Sequence, residues 1–220
     1  MIKLPNFNKT FEYENNFYLT CDASRIGKVI AHYELYKMAK EVPGKIIECG
    51  VFKGASLVRF AIFQKLFGAQ LPKKIIGFDT FGKFPKTQFL KDRAPRKKFI
   101  DAAGEYSISK KQLMKVLKHK GLDTFVELIE GDVTKTIPLY IDSHPELKIS
   151  LLNLDVDVYE PSVTILKYFY PKITKGGVLI LDDYEKFPGE TRAVDEYFKN
   201  QKVEINKFSF CTTPRYIIKQ

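Results

Sequence analysis

The sequence lacks tryptophan and has only three residues each of cysteine, histidine and methionine. Cys21, Cys49 and Cys211 are odd in number and far apart, which suits neither a disulfide framework nor a C-x-x-C metal site. We therefore expect reduced, buried thiols. Thirteen glycines and eleven prolines are too few for a collagen-like or low-complexity chain, and 45% apolar content is too high for disorder. The 220 residues are expected to form one globular domain.

Long hydrophobic runs are absent as well. Runs such as residues 177–181 are far shorter than the about 20 residues that a membrane-spanning helix needs. Residues 1–8 lack the apolar segment of a secretory signal, so we expect a cytoplasmic protein that does not span a membrane. The chain contains no P-loop Gly-Lys-Ser/Thr and no G-x-S-x-G elbow, which argues against an NTPase and against a hydrolase of that type.

The hydrophobic pattern alternates between strand and helix signals along the chain. Helices are predicted over residues 23–40, 55–67, 110–118, 132–141, 161–170 and 190–199, and strands over residues 45–50, 74–79, 125–129, 149–155 and 177–181. Residues 203–210 and 215–218 are strand-like with no room for a helix between them, which predicts an antiparallel hairpin at one edge. The fold class is therefore α/β: one doubly wound, Rossmann-like domain over residues 1–220, with a mostly parallel seven-stranded sheet and helices on both faces. Residues 1–44 would form an N-terminal helical extension of this domain.

The segment of residues 81–109 is long for a connection inside a compact domain. We predict a basic, lid-like insertion or a mobile loop with little structure of its own. The formal net charge of +10 invites a nucleic-acid partner. Residues 81–120, however, contain twelve Lys and Arg residues against three Asp and Glu residues, a net charge of +9. The excess charge therefore belongs to one segment.

Three motifs follow successive predicted strands, where ligands bind in doubly wound sheets. In residues 48–56, glycines allow a sharp turn, and the helix that follows offers free N–H groups to a carboxylate or phosphate; the alternative is a plain glycine turn. Asp79 ends the next strand, where an acid can accept both hydroxyls of a ribose. Asp132 follows the third strand and either meets an adenine edge or caps a helix, or does both. The first two motifs together indicate an adenosine-containing cofactor.

Four aspartates follow the fourth and fifth predicted strands: Asp155, Asp157, Asp182 and Asp183. Carboxylates this close repel one another unless a cation neutralises them, and oxygen ligands without Cys or His favour Mg²⁺, Mn²⁺ or Ca²⁺ over Zn²⁺. Tyr159 and Glu160 exclude an EF-hand loop. The alternative is that some of these aspartates only cap helices or pair with lysines.

These motifs occur in the order found in a known family. Residues 42–54, 77–81, 154–161 and 176–184 resemble the macrocin O-methyltransferase family. Its members are class I S-adenosylmethionine-dependent enzymes that methylate sugar hydroxyls of antibiotics and related compounds with Mg²⁺. The resemblance covers most of the chain, from about the first predicted helix to the helix after strand five.

The resemblance implies a role for each motif. The cofactor would be held at its methionine part by the turn, at its ribose by the second motif, and at its adenine by the third, with residues Glu48, Gly50, Val51, Phe52, Gly54, Ser56, Asp79, Thr80, Asp132 and Asp155. Asp155, Asp182 and Asp183 would be metal ligands, and Asp157 the general base. A bound dication lowers the pKa of an alcohol, and the base takes its proton. Family members are often oligomeric, so a homo-oligomer is a further expectation, although no segment proves it.

The implied acceptor is a hydroxyl of a sugar or sugar-bearing metabolite. Because the basic segment has no counterpart in the family pattern, we hypothesise that it serves an anionic acceptor, such as a nucleotide-linked or acidic sugar. A nucleic-acid methyltransferase is a second hypothesis, but residues 155–158 lack the D/N-P-P-Y/F motif of N-methylating enzymes. Methylation of another small molecule, or a nicotinamide-dependent oxidoreductase, are the remaining hypotheses; the turn and the aspartates disfavour the oxidoreductase.

Overall fold

The computed structural model describes residues 2–68 and 73–220. Its strands form one sheet in the order β3-β2-β1-β4-β5-β7-β6. They are β1 Lys45–Cys49, β2 Ile75–Asp79, β3 Val126–Glu130, β4 Ile149–Leu154, β5 Ile173–Leu181, β6 Asn206–Lys207 and β7 Arg215–Ile218. Strands β1 to β5 are parallel, whereas β7 is antiparallel to both β5 and β6. The predicted fold class is confirmed.

Helices cover both faces of this sheet. They are α1 Thr10–Thr20, α2 Ala23–Ala39, α3 Ala55–Phe67, α4 Arg93–Ala103, α5 Lys110–Lys120, α6 Val133–Ser143, α7 Tyr159–Phe169 and α8 Pro188–Phe198. One buried cluster joins α6, α7 and α8 to the sheet, and a second joins α2, α3 and α5 to it. Strand β4 is buried along its whole length, which explains its nearly continuous apolar sequence.

Helix α5 shows how local sequence sets the ends of an element. Ser109 caps it: its Oγ accepts a hydrogen bond from the Gln112 backbone N–H at 3.2 Å, and the Gln112 side chain reaches back to the Ser109 backbone N–H. At the other end Gly121 takes the left-handed conformation, with φ 62°. The helix therefore begins where the pattern predicts and ends within two residues of it.

The prediction of little structure in residues 81–109 is wrong. Helix α4 spans Arg93–Ala103 there, after a short 3₁₀ helix at Leu90–Asp92. The sequence hid α4 because charged residues are frequent in it, Pro95 lies in its first turn, and only Phe99 and Ile100 are large and apolar. Helix α1 lies in the helical extension expected over residues 1–44, but its bounds were not predicted, because every one of its residues is exposed.

Residues 81–109 are fastened to the rest of the domain through Asp92, which is fully buried. Its Oδ1 accepts a hydrogen bond from the Gly189 N–H at 2.7 Å, and its Oδ2 from the Tyr159 N–H at 3.0 Å. A Cβ at Gly189 would lie 2.0 Å from Asp92 Oδ2, so only glycine allows this approach. One carboxylate thus joins the segment to the first turns of α7 and α8.

The C-terminal hairpin is shorter than predicted. Of residues 203–210, only Asn206–Lys207 form a strand, which pairs with β7. Among the residues that the structure describes, no helix has both the length and the apolar character needed to cross a membrane.

Candidate active site

A cavity of about 410 Å³ opens at the carboxyl ends of the central strands. Most of the predicted site residues line it: Gly50, Val51, Phe52, Ser56, Asp79, Thr80, Asp132, Asp155, Asp157, Asp182 and Asp183. Glu48 and Gly54 do not, because the Glu48 side chain is fully buried in β1 and Gly54 lies under the Leu113 side chain. The topology therefore brings the separate sequence motifs to one place.

The turn between β1 and α3 lies directly against the end of β4. Gly50 has φ 93°, and a Cβ there would lie 1.6 Å from the Asp155 carbonyl oxygen. The Asp155 N–H donates to the Cys49 carbonyl at 3.0 Å. Glycine at position 50 is therefore what allows the turn to sit beside the aspartates that follow β4.

Asp79, the predicted ribose ligand, organises the turn as well as facing the cavity. Its Oδ2 accepts hydrogen bonds from the backbone N–H groups of Val51 at 2.8 Å and Phe52 at 2.9 Å. Its Oδ1 accepts from the Phe81 N–H at 2.6 Å and from Ser107 Oγ at 2.9 Å. Asp79 thus ties the β1–α3 turn to both ends of residues 81–109.

Asp132 caps helix α6 in the structure. Its Oδ1 accepts hydrogen bonds from the Thr134 N–H at 2.9 Å and the Thr134 hydroxyl at 2.8 Å. The same exposed residue lines the cavity. Its place is therefore compatible with both roles that the sequence left open.

Three of the four aspartates form a tight group. One carboxylate oxygen each from Asp155, Asp157 and Asp183 lie within 4.8 Å of one another. Burial raises the pKa of Asp155 well above its usual range, and the Asp182 carboxylate raises it further. Burial likewise raises the pKa of Asp157, with Asp183 as the second cause. Full ionisation of the group would therefore place more negative charge there than its surroundings neutralise.

Asp182, which the resemblance places among the metal ligands, is paired differently. Its Oδ2 forms an ion pair with Lys28 Nζ of α2, and its Oδ1 lies 3.6 Å from His32 Nε2. Burial opposes the charged form of Asp182, but Lys28 lowers the pKa of that carboxyl overall. The geometric group of three thus contains Asp157 in place of Asp182.

Two buried glutamates lie beside these aspartates. Glu190, in the first turn of α8, accepts a hydrogen bond from the Asp183 N–H at 3.0 Å, and burial raises its pKa well above the usual range. From the sequence, Glu190 was predicted only as the start of a helix. Its separation from Asp183 by only seven residues was the one feature that could have indicated that the two lie close together. In β1, Glu48 Oε1 accepts a hydrogen bond from Ser56 Oγ at 2.8 Å, and burial raises the pKa of Glu48 to about 8.

Cationic side chains from two helices and two loops also line the cavity, and sequence reasoning missed them. They are Arg25 and Lys28 of α2, Lys53 of the β1–α3 turn, Arg59 of α3 and Lys186 after β5. Residues 81–109 contribute only Phe84, Pro85, Phe99, Ala103 and Ser107 to the lining, and none of these is basic. The hypothesis that Arg93, Arg96, Lys97 and Lys98 meet the acceptor therefore finds no support in this geometry. Arg96 instead donates to the carbonyls of Phe84 and Pro85 at 2.8 and 2.7 Å.

The sequence profile of the macrocin-O-methyltransferase (TylF) family matches residues 24–210. The chain belongs to this family. Its membership confirms the expectation drawn from the sequence motifs, and it favours a methyltransferase over a nicotinamide oxidoreductase.

Two curated proteins with named activities are similar to this chain. The demethyldecarbamoylnovobiocin O-methyltransferase of Streptomyces niveus is 25% identical over 162 residues, which are 73% of this chain and 60% of the relative. The mycinamicin III 3''-O-methyltransferase of Micromonospora griseorubida is 26% identical over 175 residues, or 76% and 66% of the two chains. The chain thus spans less than two thirds of the length of these relatives.

Solved structures share the fold. A crystal structure of a calicheamicin methyltransferase superposes with a TM-score of 0.79 at 26% identity, over 95% of this chain and 85% of that one. An apo structure of a TDP-rhamnose 3'-O-methyltransferase of calicheamicin biosynthesis gives 0.69 at 28% identity, over 95% and 86%. The O-methyltransferase NovP, at 22% identity and a TM-score of 0.71, covers 89% of this chain and 79% of its own and shows the same fold.

The macrocin O-methyltransferase resemblance implies a divalent cation, and the donor set at the strand ends fits one. The three grouped carboxylates offer hard oxygen ligands, and no Cys or His belongs to that group. Within residues 2–68 and 73–220, Oδ1 of Asp182 is buried without a hydrogen-bond partner. A dication held by the grouped carboxylates would relieve the repulsion among them.

Proposed function

We propose that this protein transfers a methyl group from S-adenosylmethionine to a hydroxyl of a sugar or sugar-bearing metabolite. The observation that carries the proposal is the convergence, in one cavity, of the β1–α3 turn with the aspartates at the ends of β4 and β5. The named activities of the relatives support it, because they are O-methyl transfers that include a mycinamicin and a TDP-rhamnose acceptor.

In this proposal the cofactor lies along the strand ends. Gly50, Val51 and Phe52 give it a turn that a ligand can approach closely, while Asp79 and Thr80 face its ribose. Asp132, exposed at the start of α6, is placed for the adenine edge. Transfer depends mainly on holding the acceptor oxygen in line with the methyl carbon and the sulfonium sulfur.

The chemistry is a single displacement. The acceptor oxygen forms a bond to the methyl carbon, the bond from that carbon to sulfur breaks with its electron pair moving to sulfur, and S-adenosylhomocysteine leaves. Asp157 takes the hydroxyl proton. It is only 7% exposed, so the proton passes to a desolvated carboxylate, which is a stronger base than one in water.

A divalent cation is part of the proposal. Asp155, Asp182 and Asp183 would hold it, and Lys28 would release Asp182 when it binds. When bound, the cation supplies a Lewis acid that orients the acceptor hydroxyl and lowers its pKa. An anionic acceptor, such as a nucleotide sugar, would be met by Lys186, an exposed cation beside Asp183 at the cavity.

The test is a mass-spectrometric screen of nucleotide sugars, glycosides and phenolics with methyl-labelled S-adenosylmethionine. We expect the label on a sugar hydroxyl when Mg²⁺ is present and none when EDTA is added. Labelled phenolics alone would contradict the sugar acceptor, and full activity in EDTA would contradict the metal. Preference for neutral glycosides over nucleotide sugars would contradict the anionic acceptor.

A further inference from the structure

Four cationic side chains line the cavity without forming a salt bridge. Lys28 pairs with Asp182, but no carboxylate of the described residues lies within salt-bridge distance of Arg25, Lys53, Arg59 or Lys186. The exposed Lys53 donates to the Ala103 carbonyl. A cavity-lining cation with no carboxylate within salt-bridge distance is a place at which an anionic ligand gains free energy.

Arg59 is the most enclosed of the four, since the other three are exposed. It lies on α3, one helical turn beyond Ala55, the first residue after the β1–α3 turn. Its Nη1 lies 3.0 Å from Nδ1 of His32. A guanidinium can only donate, so Nδ1 accepts, and this hydrogen bond uses one of the five N–H donors of Arg59. The His32 ring, stacked on Phe60 with centroids 5.0 Å apart, fixes where the guanidinium lies.

Arg25 brings a second guanidinium close to Arg59. Burial lowers the pKa of Arg59, Glu48 and Asp182 oppose that change, and the positive charge of Arg25 adds to it. Two like charges beside one cavity repel each other unless an anion lies between them. An anion at this place would relieve the repulsion and satisfy the remaining donors of Arg59.

S-adenosylmethionine carries one anionic group, the carboxylate of its methionine part, together with a cationic sulfonium and a cationic ammonium. We propose that Arg59, assisted by Arg25, binds the methionine carboxylate of the cofactor. The proposal rests on the proposed function. Lys186 lies on a different element and is exposed, so it is left to the acceptor.

The test compares two ligands that differ by one carboxylate. S-adenosylhomocysteine and its decarboxylated analogue, 5'-deoxy-5'-(3-aminopropylthio)adenosine, are titrated calorimetrically into the wild type and variants in EDTA. We expect Arg59→Met to weaken S-adenosylhomocysteine binding by about thirtyfold, the range of a charge-assisted hydrogen bond, and to change analogue binding by less than about twofold. Arg59→Lys should recover only part of the loss, because an ammonium lacks the bidentate fork.

Two further variants keep the test decisive. Arg25→Met, at an exposed position, should weaken S-adenosylhomocysteine binding by about fivefold without affecting folding. Lys186→Met removes the same charge elsewhere in the cavity and should leave both affinities unchanged. Thermal unfolding without ligand verifies that each variant is folded.

Equal losses for both ligands in Arg59→Met would overturn the inference in favour of a structural role. Unchanged S-adenosylhomocysteine binding with a raised acceptor KM would overturn it in favour of an acceptor subsite. A wild type that binds both ligands equally would also overturn it, while leaving the proposed methyl transfer intact. A wild type that binds neither ligand would overturn the proposed function together with this inference.

Discussion

Several carboxyl groups in the site have a raised pKa because they are shielded from water. Asp157 and Glu190 are buried and Asp155 is half-buried, and burial raises the pKa of each carboxyl well above its usual range. Asp182 differs because Lys28 provides an internal counter-ion. The same residue type thus has different proton affinity according to its neighbours. Such contrasts are typical of catalytic sites.

Glu48 gives a test of this burial that does not depend on catalysis. Its pKa in the folded protein is about 8, against 4.5 for the free side chain, so between these pH values the folded state keeps a proton that the unfolded state releases. Raising the pH through this window therefore lowers the free energy of unfolding, with a slope of up to about 1.4 kcal/mol per pH unit from this group. Glu48→Gln, measured by urea unfolding from pH 5 to 8, should lose that contribution. The exposed Glu204→Gln is the control, and identical slopes for Glu48→Gln and the wild type would contradict the assignment.

Measurements of metal binding and turnover can distinguish the role of Asp157 from that of Asp182. If Asp157 is the base, Asp157→Asn should bind Mn²⁺ within about threefold of the wild type while kcat falls at least about a hundredfold. Asp182→Asn should weaken Mn²⁺ binding at least about tenfold. Titration followed by electron paramagnetic resonance measures the first quantity, and Asp101→Asn on the exposed face of α4 is the control. The opposite pattern would place Asp157 among the ligands and assign the geometric group of three to the metal.

Among the elements, residues 81–109 depart most from a simple strand-helix alternation. They follow the end of β2, and Ser107 near their end donates a hydrogen bond to Asp79 at the end of β2. Phe84 and Phe99 of this segment line the cavity. The Phe99 ring lies 5.3 Å from the Phe52 ring and 5.6 Å from the Phe84 ring. Helix α4 is thus held by an aromatic contact at the cavity and by Asp92 at its start.

Asp92 is the contact whose removal should loosen this element. Asp92→Ala leaves the N–H groups of Tyr159 and Gly189 without acceptors and should lower the free energy of unfolding by about 2 kcal/mol. Amide hydrogen exchange should become faster in residues 81–109 and unchanged in β1 and β4. Asp101→Ala, exposed on the same helix, should change stability by less than about 0.5 kcal/mol. Unaltered exchange in residues 81–109 would show that other contacts hold the segment.

For the whole molecule, the net charge of +10 and the charge of the cavity are separate matters. The lysines and arginines of residues 81–120 lie outside the cavity lining, while other cations of the chain line it. The excess positive charge therefore lies on the surface outside the cavity. Its electrostatic potential attracts any polyanion at a distance and is screened by salt.

This separation can be measured with a pair of double variants. Lys97→Gln with Lys98→Gln should lower the salt concentration at which the protein elutes from heparin, and should leave the acceptor KM within about twofold. Lys199→Gln with Lys202→Gln removes the same charge from exposed positions elsewhere and should change elution less. A rise in acceptor KM confined to the first pair would return the basic segment to the acceptor site.

The fold followed from local patterns, because alternating strands and helices of ordinary length have few ways to close a parallel sheet. The site followed in part, since acids at strand ends meet wherever the strands are neighbours. The bounds of α1 were not predicted because all of its residues are exposed, and α4 was missed because its charged residues and Pro95 obscure a helical pattern. The pairing of Lys28 with Asp182 escaped because the two residues are 154 positions apart and no short-range pattern links them.

What the sequence by itself determined, then, is the alternation of the central strands and helices, the family, and the set of acids and glycines at the carboxyl ends of the strands. What only the tertiary structure decided is how the charges are shared: Lys28 with Asp182, Arg59 with His32, and the basic surface apart from the cavity. The reason is physical. Backbone pattern is set over a few residues, whereas a charge takes its partner from whichever element packing brings within a few ångströms.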